Sequence, residues 1–207
     1  MNEESGAILV LSGPSGAGKS SLTAKIIDHI GPTYFSISTT TRPMRAGEVN
    51  GVHYYFVSEE EFKSEIDAEM FLEYAFVHGN YYGTSLIPVK KALKEGKLII
   101  FDIDVQGNDA VQNRLSDITT SVFITTPTLC ELKKRLHNRS TDSEEIINKR
   151  LEMATREVQR ISEYDYLIVN EDLEKAAEVL ISIAKAARMK IPTHKINEFV
   201  QRWEEQA

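Results

Sequence analysis

Gly13-Pro14-Ser15-Gly16-Ala17-Gly18-Lys19-Ser20 is a glycine, four residues, then glycine, lysine and serine, the spacing of a phosphate-binding loop. Its flanks fit as well. Ala7 to Leu11 is a short apolar run of the kind that forms a buried parallel strand. From Ser21 to Ile30, the residues Leu22, Ile26, Ile27 and Ile30 form an apolar stripe at helical spacing. Between strand and helix, glycines let successive backbone N–H groups curl inward into a concave anion site at a helix N-terminus. Lys19 supplies a mobile charge for the outer phosphates, and the Ser20 hydroxyl is placed to ligate Mg²⁺. Gly13 through Ser21 is therefore expected to hold the triphosphate of ATP or another nucleotide.

Composition narrows the class. At 207 residues, with 42% hydrophobic and 27% charged residues, the chain reads as one substantial α/β core with room for inserted parts. No apolar run approaches the ~20 residues of a membrane span. The short acidic start, Met1 to Gly6, shows no signal-peptide pattern. Cys130 is the single cysteine, so no internal disulfide can form and a cytoplasmic setting is expected, with the thiol buried and inert. A net charge of −7 argues against general nucleic-acid binding. Local arginines can still build a positive pocket.

Outward from the loop, Gly31-Pro32 ends the first helix, and Tyr34 to Thr40 reads as a strand. A polar loop, Thr41 to Gly51, carries Arg42 and Arg45. His53 to Val57 reads as a strand, Ser58 and Glu61 as a capping box opening a helix to about Ile66, and Phe71 to Val77 as another strand. Helices are expected over Pro88 to Lys94 and Asn108 to Leu115, on either side of a buried strand from Leu98 to Phe101 that ends in Asp102-Ile103-Asp104. Thr119 to Thr125 is a further strand. Thr128 and Glu131 form a second capping box, and a long helix carries Ile146, Ile147, Leu151, Ala154 and Val158. Tyr166 to Val169 is the last core strand, and Asn170-Glu171-Asp172 opens a helix to about Met189. After Pro192, an extra helix with Phe199 and Trp203 packing on the core is the expectation. Five parallel-type strands separated by helices indicate an open parallel sheet, with ligands beyond the strands' carboxyl ends. Asp102, Asp104, Thr125 and Asn170 fall there.

Asp102 follows four apolar strand residues, the place where a carboxylate holds Mg²⁺ opposite Ser20. Arg42 and Arg45 lie on one loop close to Tyr54, Tyr81 and Tyr82; arginine forks bind phosphate bidentately and tyrosine hydroxyls add neutral donors. Arg135, Arg139, Arg150, Arg156 and Arg160 surround the polar break at Ser140. Interleaved with Glu144, Glu145 and Glu152 they could form a salt-bridged surface. They could equally neutralise charge on a moving phosphoryl group.

The run Ser38-Thr39-Thr40-Thr41-Arg42-Pro43-Met44-Arg45-Ala46-Gly47-Glu48-Val49-Asn50-Gly51-Val52-His53-Tyr54 resembles the signature of guanylate kinases. So do the phosphate loop, Glu73, Gly79-Asn80-Tyr81-Tyr82-Gly83-Thr84, Asp102-Ile103-Asp104-Val105-Gln106-Gly107 and Asn148-Lys149-Arg150-Leu151, in order, from about Ile8 to Ala187. The resemblance implies a phosphate-loop core (1–36, 86–126 and 158–207), an inserted mixed-strand GMP-binding subdomain (37–85) and a helical lid (127–157). It implies that Arg42, Arg45, Tyr54 and Tyr82 grip the GMP phosphate, and that Ser38, Glu73, Thr84 and Asp104 surround guanine. Arg135, Arg139 and Arg150 would belong to the lid over the ATP phosphates, and Asn170 would lie near the adenine. In two places this chain departs from the family pattern: Met44, not proline, precedes the second arginine, and Thr84 stands where serine is common. Both keep the functional groups.

The chemistry of the base agrees with that resemblance. Guanine presents N1–H and an amino group on its pairing edge, and ionised Glu73 and Asp104 accept only. Adenine would leave one carboxylate facing a lone pair. The implied reaction is ATP and GMP (or dGMP) to ADP and the diphosphate, with Mg²⁺. Another nucleotide kinase with a different acceptor is the rival within enzymes. A GTPase is disfavoured, since no Asn-Lys-x-Asp motif occurs. A peptide-binding scaffold module is the rival of another class; Lys19, Ser20, Arg135, Arg139 and Arg150 argue against it.

Overall fold

A computed structural model describes residues 6–77, 79–138 and 143–205, with the side chain of residue 77 left aside. Arg139 and Ser140 from the reading above lie outside the described residues. Strand β1 (Ala7–Ser12) leads through the phosphate loop into α1 (Lys19–Ile26) and a 3-10 turn. Then come β2 (Thr33–Phe35), β3 (Thr39–Thr40), β4 (Tyr55–Phe56), α2 (Glu59–Asp67), β5 (Phe71–Val77), β6 (Asn80–Ser85) and α3 (Leu86–Lys94). The chain continues through β7 (Leu98–Asp102), α4 (Val105–Leu115), β8 (Thr119–Thr125), α5 (Leu129–Asn138), α6 (Glu144–Val158), β9 (Tyr166–Val169), α7 (Leu173–Ala187) and α8 (Thr193–Glu205).

Strands β2-β7-β1-β8-β9 form one parallel sheet. The alternation of β1 shows why it is central. Leu9 and Leu11 join Leu22, Ile26, Leu180 and Ala184 on the face covered by α1 and α7. Ile8 and Val10 join Leu86, Val89 and Val111 on the face covered by α3 and α4. A strand apolar at every residue is what burial on both faces requires. The open parallel architecture expected from the sequence is the one found. The carboxyl ends of its strands gather the phosphate loop, Asp102 and Asn170 at one edge.

Strands β4-β3-β6-β5 make a second, mixed sheet. Helix α2 holds it through Phe62, which stacks on Phe71 at 4.1 Å and Tyr81 at 5.2 Å between centroids. The Ser58–Glu61 capping box is present in both directions.

Several expectations need correction. The run read as one strand from Tyr34 to Thr40 serves both sheets: β2 ends at Phe35, Ser36 N–H donates to the Ile100 carbonyl at 2.9 Å, and the chain then crosses to β3. His53 to Val57 contracts to β4, because turns occupy 51–53. Strand β6 went unread, since Gly83 interrupts its aromatic pattern. A Cβ at Gly83 would stand 2.7 Å from the Glu73 carbonyl, so the glycine allows the close approach to β5, whose register shifts between Phe71 and Tyr74. Helix α4 starts earlier than Asn108, because Asp104 caps it. Cys130 is exposed, not buried; α5 turns Leu132 and Leu136 inward instead. The tail forms a helix as expected, but α8 has no buried residue.

Candidate active site

The phosphate loop takes its shape from glycines at positive φ: Gly13 at 137°, Gly16 at 93° and Gly18 at 96°. A Cβ at Gly13 would fall 1.9 Å from the Ile124 carbonyl oxygen of β8, and one at Gly18 would fall 2.3 Å from Asn170 Nδ2. The loop is thus pressed against its scaffold, with no room for side chains. Ala17 N–H donates to the Pro14 carbonyl at 3.1 Å. Asn170, buried at the end of β9, donates from Nδ2 to the Ala17 carbonyl at 2.8 Å. Expected near the adenine, this residue also braces the loop.

Pro14, Ser15, Lys19, Ser20, Asp102, Asp104 and Glu157 share one open cleft of about 310 Å³. Lys19 starts α1; its Nζ donates to the Gly13 carbonyl at 2.6 Å and stands 3.7 Å from Asp102. Burial pushes the Asp102 carboxyl above its ordinary range, while the Lys19 ammonium pulls it down. Asp104 Oδ1 accepts from Gly107 N–H at 2.8 Å, so one oxygen is committed to capping α4. Glu157 was not singled out in the sequence. Burial raises its carboxyl too, and Lys19 and Asp104 are among the charges that act on it. Its signal was its place seven residues after Arg150, two turns along one face of α6.

Do these residues fit Mg²⁺? A hydroxyl, one or two carboxylates and nucleotide phosphates make the hard-oxygen set that this ion prefers. Ser20 and Asp102 line the same cleft and would supply the protein's share. Among the described residues no group of three or more His, Cys, Asp or Glu could hold a metal unaided. The ion would therefore arrive with the nucleotide, and the residues fit it on that basis.

Helices α5 and α6, expected to form a lid, reach the loop from the other side. Leu132 and Leu136 of α5 lie where a Cβ on Gly16 would meet them, at 3.2 and 3.0 Å. Arg150 of α6 donates to Ser15 Oγ at 2.8 Å, which ties α6 directly to the phosphate loop. Arg135 is paired along its own helix with Glu131 at 3.0 Å. Arg139, the remaining expected member, lies outside the described residues.

In the second sheet, Arg42 is held flat. Its guanidinium meets both oxygens of Glu48, at 3.0 and 2.7 Å, and Glu48 Oε2 also accepts from Arg45 N–H at 2.7 Å. The Arg42 bond leads the causes that bring the Glu48 carboxyl down to about 2. The Arg42 guanidinium carbon lies 5.5 Å from the Tyr54 ring centroid, and Tyr54 meets Tyr82 edge-on at 6.2 Å. Arg42, Tyr54 and Tyr82 are therefore brought together; the Arg45 side chain is exposed beside them. Thr84 Oγ1 donates to Glu73 Oε1 at 3.1 Å, uniting two of the expected base readers. Ser38 follows the crossing between sheets, and its carbonyl accepts from Tyr55 N–H at 2.9 Å. Glu48 went without a role in the sequence reading, although it sits inside the loop that carries both arginines.

The family model for guanylate kinase matches residues 5–187. A curated guanylate kinase of Sulfurimonas denitrificans is 69% identical over 205 residues, 99% of this chain and 100% of that protein. One of Wolinella succinogenes is 51% identical over 203 residues, 98% and 94% of the two chains. The crystal structure of guanylate kinase from Anaplasma phagocytophilum matches with a TM-score of 0.65 at 33% identity, covering 90% of this chain and 88% of that one.

Proposed function

This chain belongs to the guanylate kinase family, and we propose how its residues perform the family's transfer of the ATP γ-phosphoryl group to GMP. Residues 1–36, 86–126 and 158–207 act as the phosphate-donor core, 37–85 as the acceptor subdomain and 127–157 as the lid. Backbone N–H groups of Gly13 through Ser21 cradle the ATP phosphates, and Lys19 places its charge on the outer ones. Ser20 and Asp102 would hold Mg²⁺, which would supply positive charge against the nucleotide phosphates. Asn170 supports the adenine end of the loop.

The observation that carries the acceptor reading is the alternation along β6. Tyr82 and Thr84 are two residues apart on one strand, so their side chains leave the same face about 7 Å apart. One belongs to the arginine–tyrosine cluster and the other is bonded to Glu73. Phosphate grip and base reader are thus set apart by roughly the sugar that joins them. Arg42, Arg45, Tyr54 and Tyr82 take the GMP phosphate. Ser38, Glu73, Thr84 and the uncommitted oxygen of Asp104 take guanine; dGMP presents the same base and phosphate.

The GMP phosphate is already anionic at neutral pH, so its oxygen attacks the γ-phosphorus in line without a general base. The bond to the β-phosphate oxygen breaks, leaving ADP and GDP. Positioning and charge stabilisation do the rest. Arg135, Arg139 and Arg150 close over the phosphates, and that closure excludes water that would hydrolyse ATP. No described helix is long and apolar enough to cross a membrane; a cytoplasmic enzyme of purine nucleotide metabolism is the setting this chemistry suits.

The test measures ADP formation with ATP and Mg²⁺ against GMP, dGMP, AMP, CMP and UMP. GMP should be favoured over AMP by about 10⁴-fold, the discrimination of a site built to hydrogen-bond a group that the analogue lacks. Lys19→Ala should lower turnover by about 10³-fold. Comparable activity with AMP or a pyrimidine nucleotide would refute the roles given to Glu73 and Asp104.

A further inference from the structure

His137 lies in the last turn of α5, and Glu144 opens α6. The imidazole joins the two helices: Nδ1 lies 2.7 Å from the Lys133 carbonyl oxygen, and Nε2 lies 2.8 Å from Glu144 Oε1. A backbone carbonyl can only accept, and so can an ionised carboxylate. A neutral imidazole carries one N–H, so it can satisfy one of these oxygens and must turn a lone pair on the other. Only the doubly protonated ring donates to both. The geometry selects the imidazolium.

The surroundings favour the same charge state. A cation at the C-terminus of α5 and an anion at the N-terminus of α6 each complement the partial charge of their helix end. Glu144 faces the ring from α6, and its neighbour Glu145 is held by Lys149 at 2.8 Å. On α5, Lys133 and Lys134 lie one turn back, and Arg135 is held by Glu131. The bond to the Lys133 carbonyl leads the causes that raise His137 above its ordinary 6.5, and the bond to Glu144 follows; desolvation and the Lys133 ammonium pull the other way.

What the contact joins bears on the phosphates. Helices α5 and α6 meet through a small core of Leu132, Leu136, Ile147 and Ala154, with Leu151 beside it. His137 follows the last of these on α5, and Glu144 precedes the first on α6, so their contact shuts one end of that core. Leu132 and Leu136 come against Gly16 of the phosphate loop, and Arg150 bonds Ser15. The seating of α5 on α6 thus sets how Arg135 and Arg150 are presented together.

We propose that His137 is a positioning residue for phosphoryl transfer, whose imidazolium clasps α5 to α6 through the Lys133 carbonyl and Glu144 and releases them when the ring loses a proton. The role rests on the lid function given to these helices. Because the clasp raises the proton affinity of the ring, its contribution is fully present below about pH 6.5 and is lost as pH rises through the folded value. ATP is then held less well toward alkaline pH.

Two measurements on the full chain test this. NMR follows the five histidines against pH, with the His137 signal identified by its absence from His137→Gln. His137 should titrate above 6.5, and Glu144→Gln should bring it down. A ring that titrates at or below 6.5, or that ignores Glu144→Gln, would overturn the clasp. Kinetics then compare KM for ATP in the wild type, His137→Gln and His137→Arg, as ratios at each pH so that titration of the nucleotide phosphates cancels. At about pH 6, His137→Gln should raise KM about threefold, the scale of one exposed ion pair, and by about pH 9 the two proteins should converge. His137→Arg keeps a permanent cation and should match the low-pH wild type throughout. A ratio constant with pH, or an arginine variant that behaves like the glutamine one, would refute the positioning role even if the ring titrates as expected. A wild type with no GMP-dependent turnover would refute the assigned reaction instead, and the NMR titration would still decide the clasp.

Discussion

In the five-stranded sheet, β1 is buried along all six residues and apolar side chains cover both faces. In the four-stranded sheet, Tyr74 and Phe76 are more than half exposed, and polar cross-links do much of the holding. Thr40 Oγ1 donates to the Tyr81 carbonyl at 2.9 Å, Thr41 Oγ1 accepts from Tyr81 N–H at 2.9 Å, and Arg42 is clasped by Glu48. The phosphate loop is thus wedged into a close-packed core, and the proposed acceptor side is a lighter frame. That division suits a reaction whose partners must be brought together after each has bound.

Gly13→Ala tests the rigid side and should have the largest effect. Its Cβ would meet a main-chain oxygen of β8 at 1.9 Å, at a φ of 137° that alanine resists. A loss of about 3 kcal/mol in unfolding free energy is expected, with ADP formation down by about 10³-fold as the amide cradle distorts. Gly47→Ala is the control from the light side. Gly47 also has positive φ, but nothing lies within 4 Å of a Cβ there. Its cost should stay near 1 kcal/mol, with ATP affinity unchanged. Equal damage from the two would erase the contrast between the sheets.

Glu48→Gln sharpens the comparison from the acceptor side. It removes the charge that fixes the Arg42 fork while leaving the phosphate loop untouched. KM for GMP should rise by about 10- to 100-fold, KM for ATP should hold, and Glu48→Asp should recover part of the loss. Steady-state kinetics on both substrates reads the split. A rise in KM for ATP of similar size would show that Glu48 acts through general destabilisation.

The core was legible because burial on both faces writes unbroken apolar runs, as in Ala7–Leu11 and Leu98–Phe101. The phosphate loop was legible because glycine spacing there answers to sterics. The light sheet was harder: strands of two residues, β3 and β4, are too short for any period, and Gly83 hid β6. In the site, the residues expected from the sequence were those with one chemical task each, and residues that act on others went unread. Glu48 orients an arginine and Glu157 faces Lys19 from α6; neither has a pattern of its own. Asp104 shows a third kind of difficulty, since the residue expected to read a base also caps α4.

The smallest effect is one of acidity, and its sign follows from the depressed carboxyl of Glu48. With a folded value near 2 against an ordinary 4.5, the native state holds fewer protons than the unfolded chain over that interval. The Arg42–Glu48 pair therefore stabilises the second sheet fully above about pH 4.5, and its contribution falls away as pH drops through about 2. Thermal unfolding of the wild type and of Glu48→Gln should differ by a constant gap from pH 8 to about pH 5, and the gap should close on further acidification. A gap that widened toward acid would reverse the assignment. Between pH 7 and 5, GMP affinity should decline in parallel in the two proteins, because the nucleotide's own phosphate, with its second ionisation near 6, titrates there in both. The acceptor grip then loses its ligand's charge well before it loses its own geometry.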